Sequence, residues 1–223
     1  MTLNSPTKTL LIFDLDGTLL DTVADLAAST NYALNLCGYP IHETKAYKFF
    51  VGNGINKLFE RVLPEGQKTE ENILLIRHHF LEYYTIHNAD LTTPYPDIVD
   101  LLLTLQNRGI KLAVASNKYQ KGTEKLIQHF FSEINFVAVF GQRENVPSKP
   151  DPTIVFDILK LAKVEKPNVL YIGDSGVDMQ TAQNSGIDAV GVTWGFRPRI
   201  ELEEFSPTYI VDNPSGILSI LFQ

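Results

Sequence analysis

The stretch "TLLIFDLDGTLLD", residues 9–21, decides the fold that this sequence predicts. Its first half is a short apolar run that ends at Asp14, and a run of that length predicts a buried strand rather than a helix. Asp14 and Asp16 stand two residues apart, so their side chains would leave the strand end on the same side. Gly17 would let the backbone amides of the following turn approach an anion closely. The stretch therefore predicts a strand that carries two carboxylates to its carboxyl end.

Four further apolar runs have the same length and character as this first one. They are "KLAVAS" (111–116), "FVAVF" (136–140), "VLYIGD" (169–174) and "DAVGVT" (188–193). Helical patterns at 96–109 and 151–164 separate them, and alternation of strands with helices is typical of a parallel sheet that is covered on both faces. The sequence therefore predicts an α/β fold with a doubly wound, Rossmann-like parallel sheet.

One connection in this pattern is too long for a simple crossover. About 95 residues separate Asp14 from the next predicted strand, whereas a parallel crossover needs only about a dozen. Helical periodicity at 21–37, 54–62 and 69–87 occupies most of this interval. We therefore predict a core formed by residues 1–19 and 88–223, with an inserted helical-bundle cap at 20–87.

Composition narrows the possible functions before any motif is considered. The chain has 223 residues and a net charge of −7, and it contains no run of Lys and Arg, which argues against nucleic acid as a partner. No 18 consecutive residues are apolar, so no membrane span is expected. Cys37 is the single cysteine and cannot form an internal disulfide, which favours a reducing, cytoplasmic location. The sequence does not indicate an oligomeric state.

Three of the predicted strands end in a short polar residue, namely Asp14, Ser116 and Asp174. In open parallel sheets the ligand crevice lies outside the carboxyl ends of the strands, so these side chains are expected to meet there. Lys149 directly precedes a proline and a predicted helix, from where it could lean over the same crevice. Carboxylates and a backbone carbonyl are hard ligands that suit Mg²⁺ together with a substrate phosphate. The set predicts a magnesium and phosphate site.

Four segments resemble, in order, the four motifs of the haloacid dehalogenase superfamily of phosphohydrolases. They are "DLDGTLLD" (14–21), "ASNK" (115–118), "SKPDP" (148–152) and "GDSGVD" (173–178). The insertion resembles the helical cap of the branch that contains the phosphoglycolate phosphatases and the β-phosphoglucomutases. Within it, "VGNGINKLFERVLP" (51–64) is similar to phosphoglycolate phosphatases, as is "GVTWGFRPR" (191–199). Ser116 stands where those phosphatases usually carry threonine, and both residues supply a hydroxyl.

The resemblance implies a catalytic role for each aspartate of the first motif. Asp14 would attack phosphorus and form an aspartyl-phosphate, while Asp16 would protonate the leaving alcohol and later deprotonate the attacking water. Asp14, the backbone carbonyl of Asp16 and Asp174 would hold Mg²⁺. The substrate would be a small phosphorylated metabolite, with 2-phosphoglycolate as the first candidate.

The resemblance also implies supporting roles around these three acids. Residues expected to bind the transferring phosphoryl group are Ser116, Asn117 and Lys149, and residues expected to support the site are Gly17, Thr18 and Asp178. A phosphosugar mutase or a pyrophosphatase would use the same core chemistry, so the motifs leave these alternatives open. A phospho-accepting signalling module could share the aspartate, the lysine and Mg²⁺, but it would not need a cap.

Three other features admit ordinary explanations. "GDSG" (173–176) also surrounds the nucleophilic serine of trypsin-like proteases, yet Ser175 follows a predicted strand and is expected to begin a helix. His78 and His79 are adjacent, so they would face different sides of a helix and are expected to be surface or packing residues. Asn53 and Arg61 could contact a substrate anion or belong to a plain glycine turn, and the sequence does not decide between the two.

Overall fold

The computed structural model describes residues 8–222, which form eight strands and ten α-helices. The strands are β1 (Leu10–Phe13), β2 (Leu20–Asp21), β3 (Thr93–Pro94), β4 (Lys111–Tyr119), β5 (Phe136–Gln142), β6 (Val169–Gly173), β7 (Asp188–Val192) and β8 (Tyr209–Val211). The helices are α1 (Val23–Leu36), α2 (Tyr47–Phe50), α3 (Ile55–Val62), α4 (Glu70–His87), α5 (Ile98–Asn107), α6 (Gln120–Phe130), α7 (Thr153–Ala162), α8 (Gly176–Ser185), α9 (Arg199–Glu204) and α10 (Pro214–Leu221).

Six strands form one parallel sheet in the order β5-β4-β1-β6-β7-β8. The chain therefore builds the sheet outward from β1 in one direction and then in the other, which is the doubly wound arrangement that the sequence predicts. The sequence did not predict strands β2, β3 and β8 or helices α2, α6, α9 and α10. The point where the strand order reverses lies beside β1, and ligands of such sheets bind there.

Alternate residues of β1 feed two separate hydrophobic cores, because successive side chains of a strand point to opposite faces. Leu11 and Phe13 pack in a cluster with helices α5, α6 and α10, whereas Leu10 and Ile12 pack in a cluster with α7 and α8. All four side chains are fully buried. Burial on both faces explains why β1 is an uninterrupted apolar run rather than an alternating one.

Helices α1 to α4 lie between β2 and β3 and have a hydrophobic core of their own. Its largest fully buried side chains are Tyr47, Phe59, Phe80 and Tyr84. The boundaries predicted at 19/20 and 87/88 stay a prediction, and residues 1–7 and 223 of the predicted core lie outside the described residues. In the described part of the chain, no helix combines the length and the apolar composition that a bilayer crossing requires.

The two segments that connect the helical module to the sheet are joined to each other. Strands β2 and β3 pair antiparallel, one in each connecting segment. Next to this pair, the buried Asp25 of α1 accepts hydrogen bonds from the backbone N–H groups of Leu91 and Thr92 and from the Thr92 hydroxyl, at 2.7–3.0 Å. We call these three residues the Asp25 clamp. It fixes the start of the module against its end.

Candidate active site

Polar side chains from three neighbouring strands meet at the carboxyl edge of the sheet. Asp14 follows β1, Ser116 lies in the last part of β4, and Asp174 follows β6. Lys149 reaches the same place from the segment between β5 and α7. All four residues are at least nine-tenths buried, so the structure brings together the residues that sequence reasoning expected at this edge.

The Lys149 ammonium is the centre of a buried network. It donates to Asp14 Oδ1 at 2.9 Å and to Asp178 Oδ1 at 2.7 Å. It also contacts the Ala115 carbonyl oxygen at 2.9 Å and the Tyr171 hydroxyl at 3.1 Å. These partners compensate for the cost of burying a positive charge, and they fix the ammonium beside the Asp14 carboxylate.

The carboxylates of this cluster carry more negative charge than Lys149 can balance. Side-chain oxygens of Asp14, Asp174 and Asp178 all lie within 4.8 Å of one another. Burial raises the pKa of Asp14 to about 7, against the opposing effect of Lys149. Burial, followed by the charges of Asp178 and Asp14, raises the pKa of Asp174 well above its usual value. A divalent cation would relieve this repulsion, so the buried oxygen donors fit a hard metal ion.

Two glycines let the chain close around Asp174. Gly17 has φ +92°, and a Cβ there would lie 2.4 Å from Asp174 Oδ2. A Cβ on Gly195 would lie 2.3 Å from the Asp174 Cβ atom. Thr18 donates weakly to Asp174 Oδ1 at 3.4 Å, and the N–H of Phe196 donates to Asp174 Oδ2 at 2.7 Å. Gly17 is therefore required for close packing as well as for its turn.

Asp16 lines the crevice next to this cluster, and its carboxylate is paired with a second lysine, Lys118. Its Oδ1 atom accepts from the Thr22 hydroxyl at 2.6 Å and from the Lys118 ammonium at 3.0 Å. Burial lowers the pKa of Lys118, but the Asp16 carboxylate and the Tyr84 hydroxyl together outweigh this effect, so the net shift of the Lys118 pKa is upward. Lys118 stands in the second motif, yet sequence reasoning gave it no role because nothing local showed that it would face Asp16.

The side chains of Ser116 and Asn117 differ in whether they are available to bind a ligand in the crevice. Ser116 lines the crevice, and its oxygen accepts a hydrogen bond from the N–H of Lys118 at 3.1 Å. The Asn117 amide is bound on all sides, since it accepts from the N–H of Lys149 and donates to the carbonyl oxygens of Lys149 and Gly52. The Asn117 side chain therefore positions the lysine segment, and a phosphate contact by this residue stays a prediction that would need another of its groups.

The core holds the loop between α2 and α3 directly over the site. The Asn117 amide donates to the Gly52 carbonyl oxygen at 3.0 Å. Arg197, in the loop after β7, donates to the carbonyl oxygens of Lys48 and Val51, the latter at 2.9 Å. The crevice beneath this loop encloses about 50 Å³. Core residues Asp14, Asp16 and Ser116–Tyr119 line it from below, and Leu26, Val51, Gly52, Gly54, Ile55, Leu58, Phe80 and Tyr84 line it from above.

The structure resolves the role of the "GDSG" serine. Ser175 is the N-cap residue of α8, as expected, and its hydroxyl donates to Asp178 Oδ2 at 2.6 Å. The N–H of Ser175 donates to the same oxygen at 3.2 Å. The partner of Ser175 is thus Asp178, which also binds Lys149. Among the described residues, no histidine that could act as a base contacts Ser175.

The remaining candidates lie on the cap. Arg61 donates to Asn53 Oδ1 at 2.7 Å and to the Phe50 carbonyl oxygen at 2.8 Å, so this pair holds the loop over the site. Neither side chain is among those that line the crevice. His78 and His79 both contact Glu82 on α4, so the expectation that they would face different sides of the helix is wrong. A substrate contact by Asn53 or Arg61 stays a prediction.

The chain is similar to known proteins over nearly its whole length. The chain is 31% identical to the phosphoglycolate phosphatase of Mesorhizobium japonicum, over 92% of this chain and 91% of that one. It is also 31% identical to the phosphoglycolate phosphatase of Psychrobacter arcticus, over 97% and 96%. A solved structure from Lactobacillus delbrueckii subsp. bulgaricus, provisionally assigned as a phosphoglycolate phosphatase, superposes with a TM-score of 0.90 at 32% identity, over 96% of this chain and 99% of that chain.

A family model gives the broadest comparison. The model of haloacid dehalogenase-like hydrolases matches residues 11–192, which include the inserted helices and all four of the polar segments described above. Strands β4 to β7, all but the first residue of β1, the aspartates that follow β1 and β6, and the buried lysine lie within this range. The chain therefore belongs to the haloacid dehalogenase-like hydrolase family.

Proposed function

We propose that the chain is a Mg²⁺-dependent phosphomonoesterase that hydrolyses 2-phosphoglycolate through an aspartyl-phosphate on Asp14. The observation that carries the proposal is the buried Lys149 ammonium, which joins Asp14 to Asp178 at the point where the strand order reverses. The relatives named phosphoglycolate phosphatase support the substrate, because they match more than nine tenths of this chain.

Asp14 is the proposed nucleophile because one of its oxygens is held and the other is available. Lys149 holds Oδ1, and among the described residues no hydrogen bond engages Oδ2. An oxygen of this carboxylate forms a bond to phosphorus while the bond between phosphorus and the ester oxygen breaks. The covalent intermediate divides one difficult displacement into two easier ones.

Asp16 is the proposed acid and base. It gives a proton to the departing ester oxygen, and it then takes a proton from the water that attacks the aspartyl-phosphate. That second displacement breaks the bond to Asp14 and releases inorganic phosphate. The hydrogen bonds from Thr22 and Lys118 to Oδ1 hold the Asp16 carboxylate in one orientation, and Oδ2, which has only the longer Lys118 contact at 3.4 Å, is the oxygen proposed to transfer the proton.

The charge on the transferring group is the largest electrostatic demand of this reaction. Lys149 and the hydroxyl of Ser116 are proposed to bind the phosphoryl oxygens, and the Asn117 amide holds the Lys149 segment in place. Asp14, the backbone carbonyl of Asp16 and Asp174 would hold Mg²⁺. When bound, Mg²⁺ would neutralise part of the negative charge that the phosphate brings to these carboxylates.

The size of the crevice favours a small substrate over a phosphosugar. One buried water needs about 10–15 Å³ of such space, so a crevice of about 50 Å³ holds only a few water molecules. 2-Phosphoglycolate has few atoms beyond its phosphate group, so it needs less room under the cap than a hexose phosphate does. A cytoplasmic location stays a prediction that rests on the single cysteine.

A phosphate-release assay tests the proposal. Purified protein is given 2-phosphoglycolate, a hexose phosphate, pyrophosphate and an aryl phosphate, each with Mg²⁺ or with excess chelator. We expect 2-phosphoglycolate to have the highest kcat/KM, chelation to abolish turnover and Mg²⁺ to restore it. Full activity in excess chelator would refute the metal dependence, and conversion of a phosphosugar to its isomer without phosphate release would favour the mutase alternative.

Acid quenching during turnover tests the intermediate, and a single turnover in ¹⁸O-labelled water shows which atom the water attacks. If Asp14 is phosphorylated, phosphate from the first turnover carries one labelled oxygen, and no label enters the Asp14 carboxylate because water attacks phosphorus. Phosphoprotein trapped by acid quenching should be lost in Asp14→Asn. Retention of a trapped phosphoprotein in that variant would refute the assignment of the nucleophile.

A further inference from the structure

Two buried polar groups in the crevice have more bonding capacity than the protein uses. The Lys118 side chain is only 4% exposed, and its ammonium contacts a single carboxylate, that of Asp16, at 3.0 and 3.4 Å. An ammonium has three N–H donors, so at least one stays unused among the described residues. The hydroxyl of the fully buried Tyr84 has no hydrogen-bond partner there either.

These two groups face each other across the boundary between core and cap. Lys118 belongs to β4 and Tyr84 to α4, and both line the crevice above Asp14 and Asp16. The Lys118 Nζ atom lies 4.8 Å from the centre of the Tyr84 ring. The ammonium is close enough to act on the Tyr84 hydroxyl both as a charge and as a potential donor, but the two groups are not aligned for a well-formed hydrogen bond.

A buried donor without a partner is costly, so buried polar groups in native proteins are paired with another protein group, with water or with a ligand. Here the missing partner must accept hydrogen bonds from both an ammonium and a phenolic hydroxyl. It must also lie in the crevice. An anionic oxygen of the substrate meets these requirements, because charge-assisted hydrogen bonds are the strongest kind available to Lys118.

The position of Lys118 indicates where on the substrate that oxygen is attached. In the proposed function, Asp16 protonates the ester oxygen of the leaving group, so that oxygen lies within a hydrogen bond of the Asp16 carboxylate. Lys118 lies at the same carboxylate, on the side that faces Tyr84. An anionic group attached one carbon beyond the ester oxygen would lie within reach of the Lys118 ammonium. An anionic group at the end of a longer chain would lie beyond it.

We propose that Lys118 and Tyr84 bind a carboxylate that is attached one carbon away from the ester oxygen, and that Lys118 thereby selects anionic over neutral leaving groups. This inference rests on the proposed function, since it uses the assignment of Asp16. It identifies a specificity-determining pair that exists only while the cap lies over the core.

A comparison of two matched substrates tests the inference. 2-Phosphoglycolamide differs from 2-phosphoglycolate only in having a neutral amide in place of the carboxylate. In Lys118→Gln and in Tyr84→Phe, we expect the ratio of kcat/KM for the acid to kcat/KM for the amide to fall, by about tenfold or more in the lysine variant. Lys125→Gln is the matched control, because this lysine of α6 also contacts α4, through the Thr85 carbonyl oxygen, but lies outside the crevice. Its ratio should stay at the wild-type value.

The outcomes separate this inference from the proposed function. If the wild-type protein does not hydrolyse 2-phosphoglycolate, the proposed function fails. If it does, but Lys118→Gln loses the same factor on both substrates, Lys118 merely supports Asp16 and the inference is refuted. Product inhibition of the wild-type protein gives a second measurement that needs no variant to fold. Glycolate should compete with the substrate at least about tenfold better than glycolamide, and equal inhibition would refute the inference.

Discussion

The Asp25 clamp allows a quantitative prediction about how the cap is attached. Asp25→Ala removes the acceptor of three donors, the N–H groups of Leu91 and Thr92 and the Thr92 hydroxyl. Asp25 and Thr92 are 2% and 3% exposed, so water cannot easily replace the carboxylate at Thr92. Leu91 is 59% exposed, so water can replace the Asp25 carboxylate as the partner of the Leu91 N–H.

The magnitude follows from these exposures. A buried donor left without a partner costs about 1–3 kcal/mol, and a hydrogen bond to a charged group contributes about 1.5–3 kcal/mol. In Asp25→Ala the Thr92 N–H loses its partner, the Thr92 hydroxyl can rotate to another partner, and the Leu91 N–H can bind water. We therefore expect this variant to lower the free energy of unfolding by about 2–4 kcal/mol. That is a large share of the roughly 5–15 kcal/mol that stabilises a typical protein.

Urea unfolding followed by circular dichroism measures this loss. With an m value of about 2 kcal/mol per molar urea, the midpoint should fall by about 1–2 M. Thr92→Val removes only the hydroxyl and should cost about 1 kcal/mol. Asp90→Ala is the control, because Asp90 is exposed and, within residues 8–222, its side chain forms an ion pair with His87 alone, so its effect should stay within about 0.5 kcal/mol.

Hydrogen exchange locates the effect. The Thr92 amide should exchange faster in Asp25→Ala, while amides of β1 change only as far as global stability changes. If Asp25→Ala unfolded at the wild-type urea concentration, or if its Thr92 amide stayed protected, the idea that this carboxylate joins the two connecting segments would be wrong.

Three further predictions concern the site itself. Ser175→Ala should keep most phosphatase activity and lose about 1 kcal/mol of stability, because this hydroxyl lies at the N-terminus of a helix. Asp14→Asn should be inactive but still folded by circular dichroism. An inactive Ser175→Ala together with an active Asp14→Asn would overturn the assignment of Asp14 as the nucleophile. Gly195→Ala should lower kcat/KM about a hundredfold and raise the Mg²⁺ concentration needed, because the new Cβ displaces Asp174, and wild-type kinetics would contradict this. Arg197→Met should lower kcat/KM about tenfold by releasing the cap loop, measured at steady state; an unchanged value would show that this contact does not hold the active state.

Sequence reasoning located the sheet and the site edge because both depend on local patterns. Each predicted strand is an apolar run that ends within a few residues of the observed strand end, as β1 does before Asp14. Parallel strands bring their carboxyl ends to one edge, so polar residues such as Ser116 and Asp174 had to lie near one another once the strands were recognised.

Contacts between distant segments could not be predicted in the same way. Lys118 meets Asp16 across 102 residues, and Asp25 meets Thr92 across 67. Neither the charge of Lys118 nor its place in the second motif indicates a partner, because a lysine at a strand end is usually solvated. Strand β8 was missed because Tyr209–Val211 has only three residues and lies at the edge of the sheet, where little apolar patterning is required.

The distribution of these contacts between core and cap separates the chemistry from the selectivity. Lys149 contacts Asp14 and Asp178, and Asp174 lies close to both carboxylates, without any residue of α1 to α4, so the proposed attack of Asp14 on phosphorus uses side chains of the core. Tyr84 reaches the site only while α4 lies over the crevice. A substrate that binds both Lys118 and Tyr84 therefore stabilises the closed arrangement, because its carboxylate joins the two modules. A neutral ester makes no such bridge, so its hydrolysis should respond to changes in the core and remain largely indifferent to the Tyr84 hydroxyl.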